Sequence, residues 1–239
     1  MTLKMLSFIM VCGWITVSHA EELFSYTEPS RLAQAAFSEA GVLDELLVNE
    51  GDAVKDGQVL ARLDNKILLH DLNIAVEQLR LQKLRFSQFE LLQKQGNLSP
   101  DEFERARADL LISQERVNRI YAQIDGRTLR ARFDGVVLRI HRELSESIAA
   151  ANTEVLTLAA LHPLHVTFNV PLEQTDAFVL GQEMPLMLEN EVEKTGRVDF
   201  ISPVIDAASR TVRIRLVLEN EDQSLRSGMR CTLKPQPAP

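Results

Sequence analysis

Apolar and polar residues follow three textures along this chain, and each predicts a different element. Between about Lys66 and Gln95 there is no glycine or proline, and the helix formers Leu, Gln, Glu, Lys and Arg dominate. Positions 68, 72, 75, 79, 82, 86, 89 and 93 read Leu, Leu, Ala, Leu, Gln, Phe, Phe, Gln. Steps of four and three keep these residues on one helical face, so the spacing predicts a helix with an apolar seam, weakened at Gln82 and Gln93. A break follows at Gly96-Asn97-Leu98-Ser99-Pro100-Asp101-Glu102. Gly96 suits a helix C′ position, Ser99 an N-cap, Pro100 the first helical position and Glu102 the return arm of a capping box. From Pro100 to about Asp125, positions 103, 106, 110, 113, 117, 120 and 124 read Phe, Ala, Leu, Ser, Val, Ile, Ile, and Gly126 ends the helix. Asp101–Arg105 and Glu115–Arg119 add ion pairs of favourable orientation. Two helices of nearly equal length joined by a tight turn make an antiparallel coiled-coil hairpin over 66–126. At ~1.5 Å per residue it is about 40 Å long, and its seams bury little beyond each other, so it projects from a body.

The flanking texture is β. In 31–64, short apolar stretches (Val42-Leu43, Leu46-Leu47-Val48, Val59-Leu60-Ala61) are cut by Gly41, Gly51-Asp52 and Asp56-Gly57. Gly51 and Gly57 supply positive φ cheaply and mark turns. After Thr128, Phe133-Asp134-Gly135-Val136-Val137 reads as a turn entering a strand, Val155–Ala160 as an apolar run, and Leu164–Val170 as an alternating strand. Thr211–Leu218 places Val212, Ile214, Leu216 and Leu218 on one face and Thr211, Arg213 and Arg215 on the other, a half-buried strand. Gly181, Gly196 and Gly228 space this last region like a small antiparallel barrel. A hairpin inserted into a β domain leaves one edge and returns close by. The expected class is therefore mainly β with an α-helical hairpin: residues 21–65 and 127–160 are two halves of one β domain, 66–126 the hairpin, 161–234 the barrel and 235–239 a tail.

The third texture lies at the start. Lys4 precedes Met5–Val17, an almost purely apolar run of 13 residues, and Ser18-His19-Ala20 places small residues at the −3 and −1 positions. This predicts a secretory signal peptide over 1–20, cleaved after Ala20. The run covers about 20 Å, short of a ~30 Å hydrocarbon core, and an uncleaved signal anchor is the competing reading. Met10 and Val11 before Cys12 do not make a lipidation site, so no lipid anchor is expected. Trp14 and Cys12 go with the segment, leaving Cys231 alone and no intrachain disulfide.

Composition adds limits. With 45% apolar and 25% charged residues the chain is globular, and its net charge of −8 argues against a duplex-binding face and hence against nucleic acid. The acidity is concentrated in 21–65, where ten acids face three bases, a pattern read as a solvated face. No G-x-S-x-G, H-E-x-x-H or phosphate-loop motif occurs, so no enzyme and no cofactor is expected. His162 and His165 flank Pro163 without a cysteine or carboxylate at ligand spacing, and no metal site is expected.

Three motifs in order carry a resemblance. Gly41-Val42 followed by Val48–Asp64 (Val-Asn-Glu-Gly-Asp-Ala-Val-Lys-Asp-Gly-Gln-Val-Leu-Ala-Arg-Leu-Asp) resembles the first half of a biotinyl/lipoyl-like domain. Thr128–Val137 is similar to the segment re-entering its second half, with Ala131-Arg132 where Ala-Pro is usual. Gly196–Asp206, Arg210–Arg215, Asn220, Leu225-Arg226 and Gly228-Met229 resemble an adaptor β-barrel. Over about residues 30–234 the chain resembles periplasmic adaptor subunits, also called membrane fusion proteins, of the HlyD-like class. The resemblance implies a split lipoyl-like (barrel-sandwich) domain, the hairpin and a β-barrel, with Gly51, Asp52, Gly57, Gly135 and Gly228 as structural turn positions. It implies a periplasmic, non-enzymatic adaptor bridging an inner-membrane efflux transporter of the resistance-nodulation-division type and a TolC-like outer-membrane duct. It further implies self-association, as a hexamer built as a trimer of dimers. An ATP-driven or type I secretion exporter is the alternative assignment. A lipoyl or biotinyl carrier, with Lys66 as the modified residue, is a remoter one.

The resemblance also implies a duct-contacting tip. Families recruiting such ducts show an Arg, a Leu four residues later and a Ser seven after that. Leu92 and Ser99 fit, Gln88 stands at the Arg position, and Arg85 one turn earlier is the substitute. Capping by Ser99 and packing by Leu92 compete with that reading. Related adaptors carry a further membrane-proximal β domain after the barrel. Ending at Pro239 predicts a shortened adaptor that meets its pump through the barrel.

Overall fold

The computed structural model describes residues 23–149, 153–189 and 191–233. The signal segment 1–20 and the tail 235–239 lie outside the described residues. The chain divides into two compact units, Glu28–His165 with Leu218–Gly228, and Val166–Val217 with residues 23–27 and 229–233.

The first unit contains most of β1 (Leu23–Ala35), then β2 (Gly41–Leu46), β3 (Ala53–Val54), β4 (Val59–Leu63), α1 (Lys66–Lys94), α2 (Pro100–Gly126), β5 (Thr128–Arg130), β6 (Gly135–Ile140), β7 (Ser147–Ile148) and the start of β8 (Leu156–Pro171). The expected pairing of two half-domains is present. Strand β3 pairs antiparallel with β6 (Ala53↔Val136), β4 with β5 (Val59↔Arg130) and β2 with β7 (Gly41↔Ile148). Every one of these ladders joins a strand before the hairpin to one after it. Leu43, Leu60, Leu63, Val137, Ile148, Val155 and Leu156 fill the core between the halves, each essentially without solvent contact.

The turn residues lock the halves further. Gly51 has φ +91° and donates its N–H to Val137 O at 2.8 Å, and Val137 N–H donates to Asp52 O at 3.0 Å. The Asp52 carboxylate accepts from Asn49 N–H at 2.7 Å and closes its own turn. Gly57, at φ +79°, donates to Ala131 O at 2.9 Å. Gly135 departs from the turn expectation. It is the first residue of β6, and glycine is required there by close approach: a Cβ would lie 2.4 Å from Ala159 O on β8.

The second unit holds the ends of β1 and β8, a 3₁₀ turn (Leu172–Ala177), β9 (Glu183–Leu188), β10 (Glu193–Asp206), β11 (Thr211–Leu218) and β12 (Arg230–Leu233). Strand order is β1-β12-β9-β10-β11-β8. Alternation works as expected: Val166, Phe168 and Val170 on β8 and Val212, Ile214 and Leu216 on β11 point inward. Arg215 holds Asp199 with two nitrogens, Nε at 3.1 Å and Nη2 at 2.7 Å, and that hydrogen-bonded pair raises the guanidinium pKa still further. At the β10–β11 turn, backbone N–H groups of Ser209 and Ala208 donate to Asp206 and hold its carboxyl below the usual range. Gly228 takes φ +89° just before β12.

Three features differ from expectation. Residues 23–27 cluster with the barrel unit because Leu23–Tyr26 pair with Leu233–Arg230 on β12. Residues 218–228 cluster with the lipoyl-like unit, where Asn220 is tied to Leu161 and Leu225. The two expected strands 155–160 and 164–170 are one continuous strand, β8.

Cys231 is fully buried in the barrel unit, and burial pushes its thiol up to about 11. A disulfide reagent at pH 8 should therefore leave it unmodified in the folded protein and label it once guanidinium unfolds the chain. Labelling at the same rate in both states contradicts the packing.

Candidate functional site

Inward faces of α1 and α2 match the predicted seams. On α1, Leu72, Ala75, Leu79, Gln82, Phe86 and Phe89 lose much or all of their exposure, while Gln93 remains exposed. On α2, Phe103, Ala106, Leu110, Ser113, Val117, Ile120 and Ile124 do the same. Ala75, Leu79, Val117 and Ile120 form the buried centre. Towards the tip, Phe86 and Phe103 stack with ring centroids 5.3 Å apart, tilted at 35°. The seam is narrow because one helix pair offers one stripe each, so the outer surfaces remain in solvent.

The base of the hairpin is pinned to the β unit. Arg127 Nη1 donates to Asp64 O at 2.7 Å, Leu63 N–H to Arg127 O at 3.0 Å, and Asp64 N–H to Val42 O at 2.8 Å. The exit and return strands therefore share hydrogen bonds at the point where the helices begin. Lys66 is the first residue of α1 rather than the tip of a β-hairpin, with its ammonium 3.7 Å from Asp64 Oδ2. That is not the setting of a swinging-arm lysine, and the carrier alternative is not favoured.

The tip is closed at both ends by backbone chemistry. Helix α1 ends in a Schellman arrangement: Asn97 N–H donates to Leu92 O and Gly96 N–H to Gln93 O, both at 2.9 Å, with Gly96 at φ +73°. Helix α2 opens in the predicted capping box. Ser99 Oγ accepts from Glu102 N–H at 3.2 Å, Glu102 Oε2 accepts from Ser99 N–H at 3.4 Å, and Pro100 stands first in the helix. Replacing Ser99 with alanine should loosen the first turn of α2 by about 1 kcal/mol. Amide hydrogen exchange at Glu102 and Phe103 measures it, and unchanged protection there contradicts the cap.

The four predicted tip residues divide into two groups. Arg85, Gln88 and Leu92 share one side of α1 by spacing, and all are exposed, Leu92 at 37%. The Arg85 guanidinium lies 5.2 Å from the centroid of the Phe89 ring and packs over it. Ser99 stands across the turn with its hydroxyl committed to the cap. Leu91, 60% exposed, is a neighbour the spacing argument passed over. A run of two leucines just before a helix-ending glycine is the signal that marks it.

Other candidate chemistry is dispersed. Among the described residues no group of three or more His, Cys, Asp or Glu gathers at metal-binding distance. His141 Nε2 lies 2.8 Å from Thr157 Oγ1, and His162 Nδ1 accepts from Asn220 N–H at 3.2 Å. Glu146 is held below the usual carboxylate range by the Glu143 N–H and the Arg142 guanidinium, a surface pair closing a loop. A cleft of about 690 Å³ opens at the hairpin base, between Ala33–Ser38 and Thr128–Phe133. No helix among the described residues is long and apolar enough to cross a membrane.

Comparison with known proteins matches this architecture in order. Residues 36–159 match the family described as YknX, barrel-sandwich hybrid domain, and residues 163–238 match the CusB-like, beta-barrel domain. A curated relative from Haemophilus influenzae is 24% identical over 204 residues, covering 84% of this chain and 53% of that protein. The cobalt-zinc-cadmium resistance protein CzcB of Cupriavidus metallidurans is 25% identical over 210 residues, covering 81% of this chain and 40% of CzcB. The chain thus spans about half or less of the length of these relatives. A solved MacA–MexA chimera carrying the Pseudomonas aeruginosa MexA α-hairpin shares the fold at TM-score 0.76, with 16% identity, covering 90% of this chain and 84% of the chimera. With the barrel-sandwich match extending over more than half of the chain, the protein belongs to the membrane fusion protein family, as a YknX-type barrel-sandwich hybrid domain that carries a helical hairpin and is followed by a CusB-like β-barrel domain.

Proposed function

We propose that this protein is a periplasmic adaptor of a tripartite efflux pump, without catalytic chemistry of its own. It works as an oligomeric ring between an inner-membrane transporter and a TolC-like outer-membrane duct. The observation that carries the reading is the hairpin itself. Sixty-one residues leave a small β unit, run out along one narrow seam, and turn back at a doubly capped tip with Leu91 and Leu92 exposed beside it. An insertion of that shape adds little to the core it leaves, and its cost in ordered residues is explained by what its far end meets. Helix-against-helix docking of apolar anchors on a preformed partner fits that end. Relatives named for cation resistance and cation efflux, CzcB and CusB, make a transition-metal cation the first cargo to test.

Two measurements test the tip. A photo-crosslinking residue at Gln88 or Leu92 should trap an outer-membrane duct in cells. Leu92→Asp should abolish export, lowering the tolerated cargo concentration to that of a strain lacking the gene, while circular dichroism and the melting curve stay unchanged. Export at the normal level in Leu92→Asp, or crosslinks reaching no duct from positions 88–99, overturns the tip assignment. Arg85→Ala asks whether the guanidinium beside Phe89 contributes a duct contact. A several-fold export defect with a normal fold is the expected result.

A further inference from the structure

The cleft at the hairpin base lies wholly within the first unit, between two strand edges that have no partner strand among the described residues. One edge is β5, the end strand of its sheet, which pairs with β4 alone. Ala131, just past β5, commits both backbone groups to that side: its N–H donates to Gln58 O and its O accepts from Gly57 N–H, each at 2.9 Å. Strand alternation turns the backbone groups of Arg130 and Arg132 the other way, towards the cleft. The second edge is the end of β1. Ala35 O accepts from Val155 N–H at 2.9 Å, so Gln34 presents its N–H and C=O to the opposite side. On that side β12 follows β1 no further than Thr27. The two segments are tied at their ends and apart between them. Ser38 Oγ donates to Gly126 O at 3.2 Å, and the Arg31 guanidinium lies 5.9 Å from the centroid of the Phe133 ring. The ties stand seven residues apart on each segment, so the segments run antiparallel and in step. The cleft measures about 690 Å³. An added strand fills roughly 160 Å³ per residue, from its ~3.3 Å rise, ~4.8 Å spacing and ~10 Å thickness, so there is room for about four residues of extended chain.

We propose that this cleft is a docking groove for an extended peptide of a partner protein, which adds as a strand to β5 and carries acidic side chains on its outer face. Pairing with the main chain of Arg130 and Arg132 supplies the hold, as an unpaired strand edge allows. The side chains set the chemistry of the partner. Leu129 and Ala131 are buried and point into the core, so Arg130 and Arg132 point outward and are exposed. An added strand would alternate likewise, laying apolar side chains towards Phe37 and Leu158 and setting its outer ones beside the two arginines. Asp125 lies 3.9 Å from Arg130, whereas Arg132 pairs with no carboxylate among the described residues. With Arg31 over Phe133 and Asp56 on the turn at Gly57, three guanidiniums meet two carboxylates around the groove, on a chain whose net charge is −8. Opposite charges on neighbouring strands attract, so an acidic residue beside Arg132 is the favoured one.

Hydrogen exchange on the purified protein tests this without duct or pump. The probe is acetyl-Val-Glu-Val-Glu-Val-amide, with acetyl-Val-Lys-Val-Lys-Val-amide as its counterpart. At about 1 mM, in the range of weak short-peptide binding, the acidic peptide should slow exchange in 33–38 and 128–133 by about ten-fold, and the lysine peptide should leave it unchanged. Arg132→Glu alters an exposed side chain and should exchange the preference between the two peptides, with circular dichroism unchanged. An acidic peptide N-methylated at its third and fourth residues lacks donors towards both edges and should give no protection. The inference is overturned if the acidic peptide protects neither segment, if the lysine peptide protects them equally, or if N-methylation leaves the protection intact. Protection of both segments that rises with protein concentration in the absence of peptide would make the occupant a second copy and overturn the partner assignment. Failure of the duct reading would show only in the Leu92→Asp export assay and would leave these results intact.

Discussion

Gly135→Ala is expected to lower the stability of the barrel-sandwich unit by about 3 kcal/mol. The reason is backbone, not turn geometry. At the start of β6 the chain passes so close to β8 that an added methyl would stand 2.4 Å from Ala159 O and 3.0 Å from its carbonyl carbon, with the Phe133 ring 3.3 Å away on another side. A side chain could rotate out of such a contact, but a carbonyl oxygen in a sheet cannot. Val136 pairs with Ala159 in the same ladder, so relief requires β6 and β8, two strands of the same half-domain, to separate. Gly51→Ala is the matched comparison. Gly51 has φ +91° and open space around its Cβ position, so its substitution strains the backbone but collides with nothing, and should cost about 1–2 kcal/mol. With a urea slope of roughly 2 kcal/mol per molar, Gly135→Ala should move the midpoint down by about 1.5 M. The two variants should separate clearly in urea titrations followed by far-ultraviolet circular dichroism. A Gly135→Ala midpoint no lower than that of Gly51→Ala would remove the close-approach explanation.

That contrast shows where sequence was legible and where it was not. The hairpin was readable because everything that makes it is local. The seam repeats every three or four residues, and Gly96, Ser99, Pro100 and Glu102 each do their work within one turn. The split β domain was readable because Gly51-Asp52 and Gly57 mark turns on one side of the hairpin and Phe133–Val137 a turn and strand on the other. The reason for Gly135 was hidden, since a glycine needed for closeness looks the same in sequence as one needed for φ. Pairing of Leu23–Tyr26 with Leu233–Arg230 was hidden for a related reason: it joins residues some two hundred apart and leaves no periodic trace. At the candidate tip, spacing placed Arg85, Gln88 and Leu92 on one side of α1. It did not foresee that the Arg85 guanidinium rests on Phe89.

Asn220→Asp should be the most damaging single-atom change in the chain, costing about 4 kcal/mol at pH 8. Asn220 is 1% exposed and fully used. Its amide nitrogen donates to Leu161 O at 2.8 Å and Leu225 O at 3.0 Å, and its amide oxygen accepts from Leu225 N–H at 3.0 Å. The side chain thereby closes the 218–228 segment on itself with two bonds to Leu225 and ties it to β8 with one to Leu161. A carboxylate of the same shape keeps the acceptor and loses both donors, so two carbonyl oxygens face a buried anion. Burial and those carbonyls push the introduced carboxyl above its unfolded value of about 3.9, so the folded state binds the proton more tightly. The sign follows: below that unfolded value the charge penalty is absent, and it grows as pH rises until the folded group has ionised. The deficit against wild type should therefore be smaller at pH 5, where a protonated carboxyl donates to one carbonyl, than at pH 8. Asn220→Ala separates charge from lost hydrogen bonding. It leaves the same backbone groups unpaired and should cost about 2–3 kcal/mol with no added pH dependence. Urea titrations of the three proteins at pH 5 and pH 8 decide the matter. An Asn220→Asp deficit that tracks that of Asn220→Ala at both values would mean that the site admits water and that Asn220 is not the buried tie its distances describe.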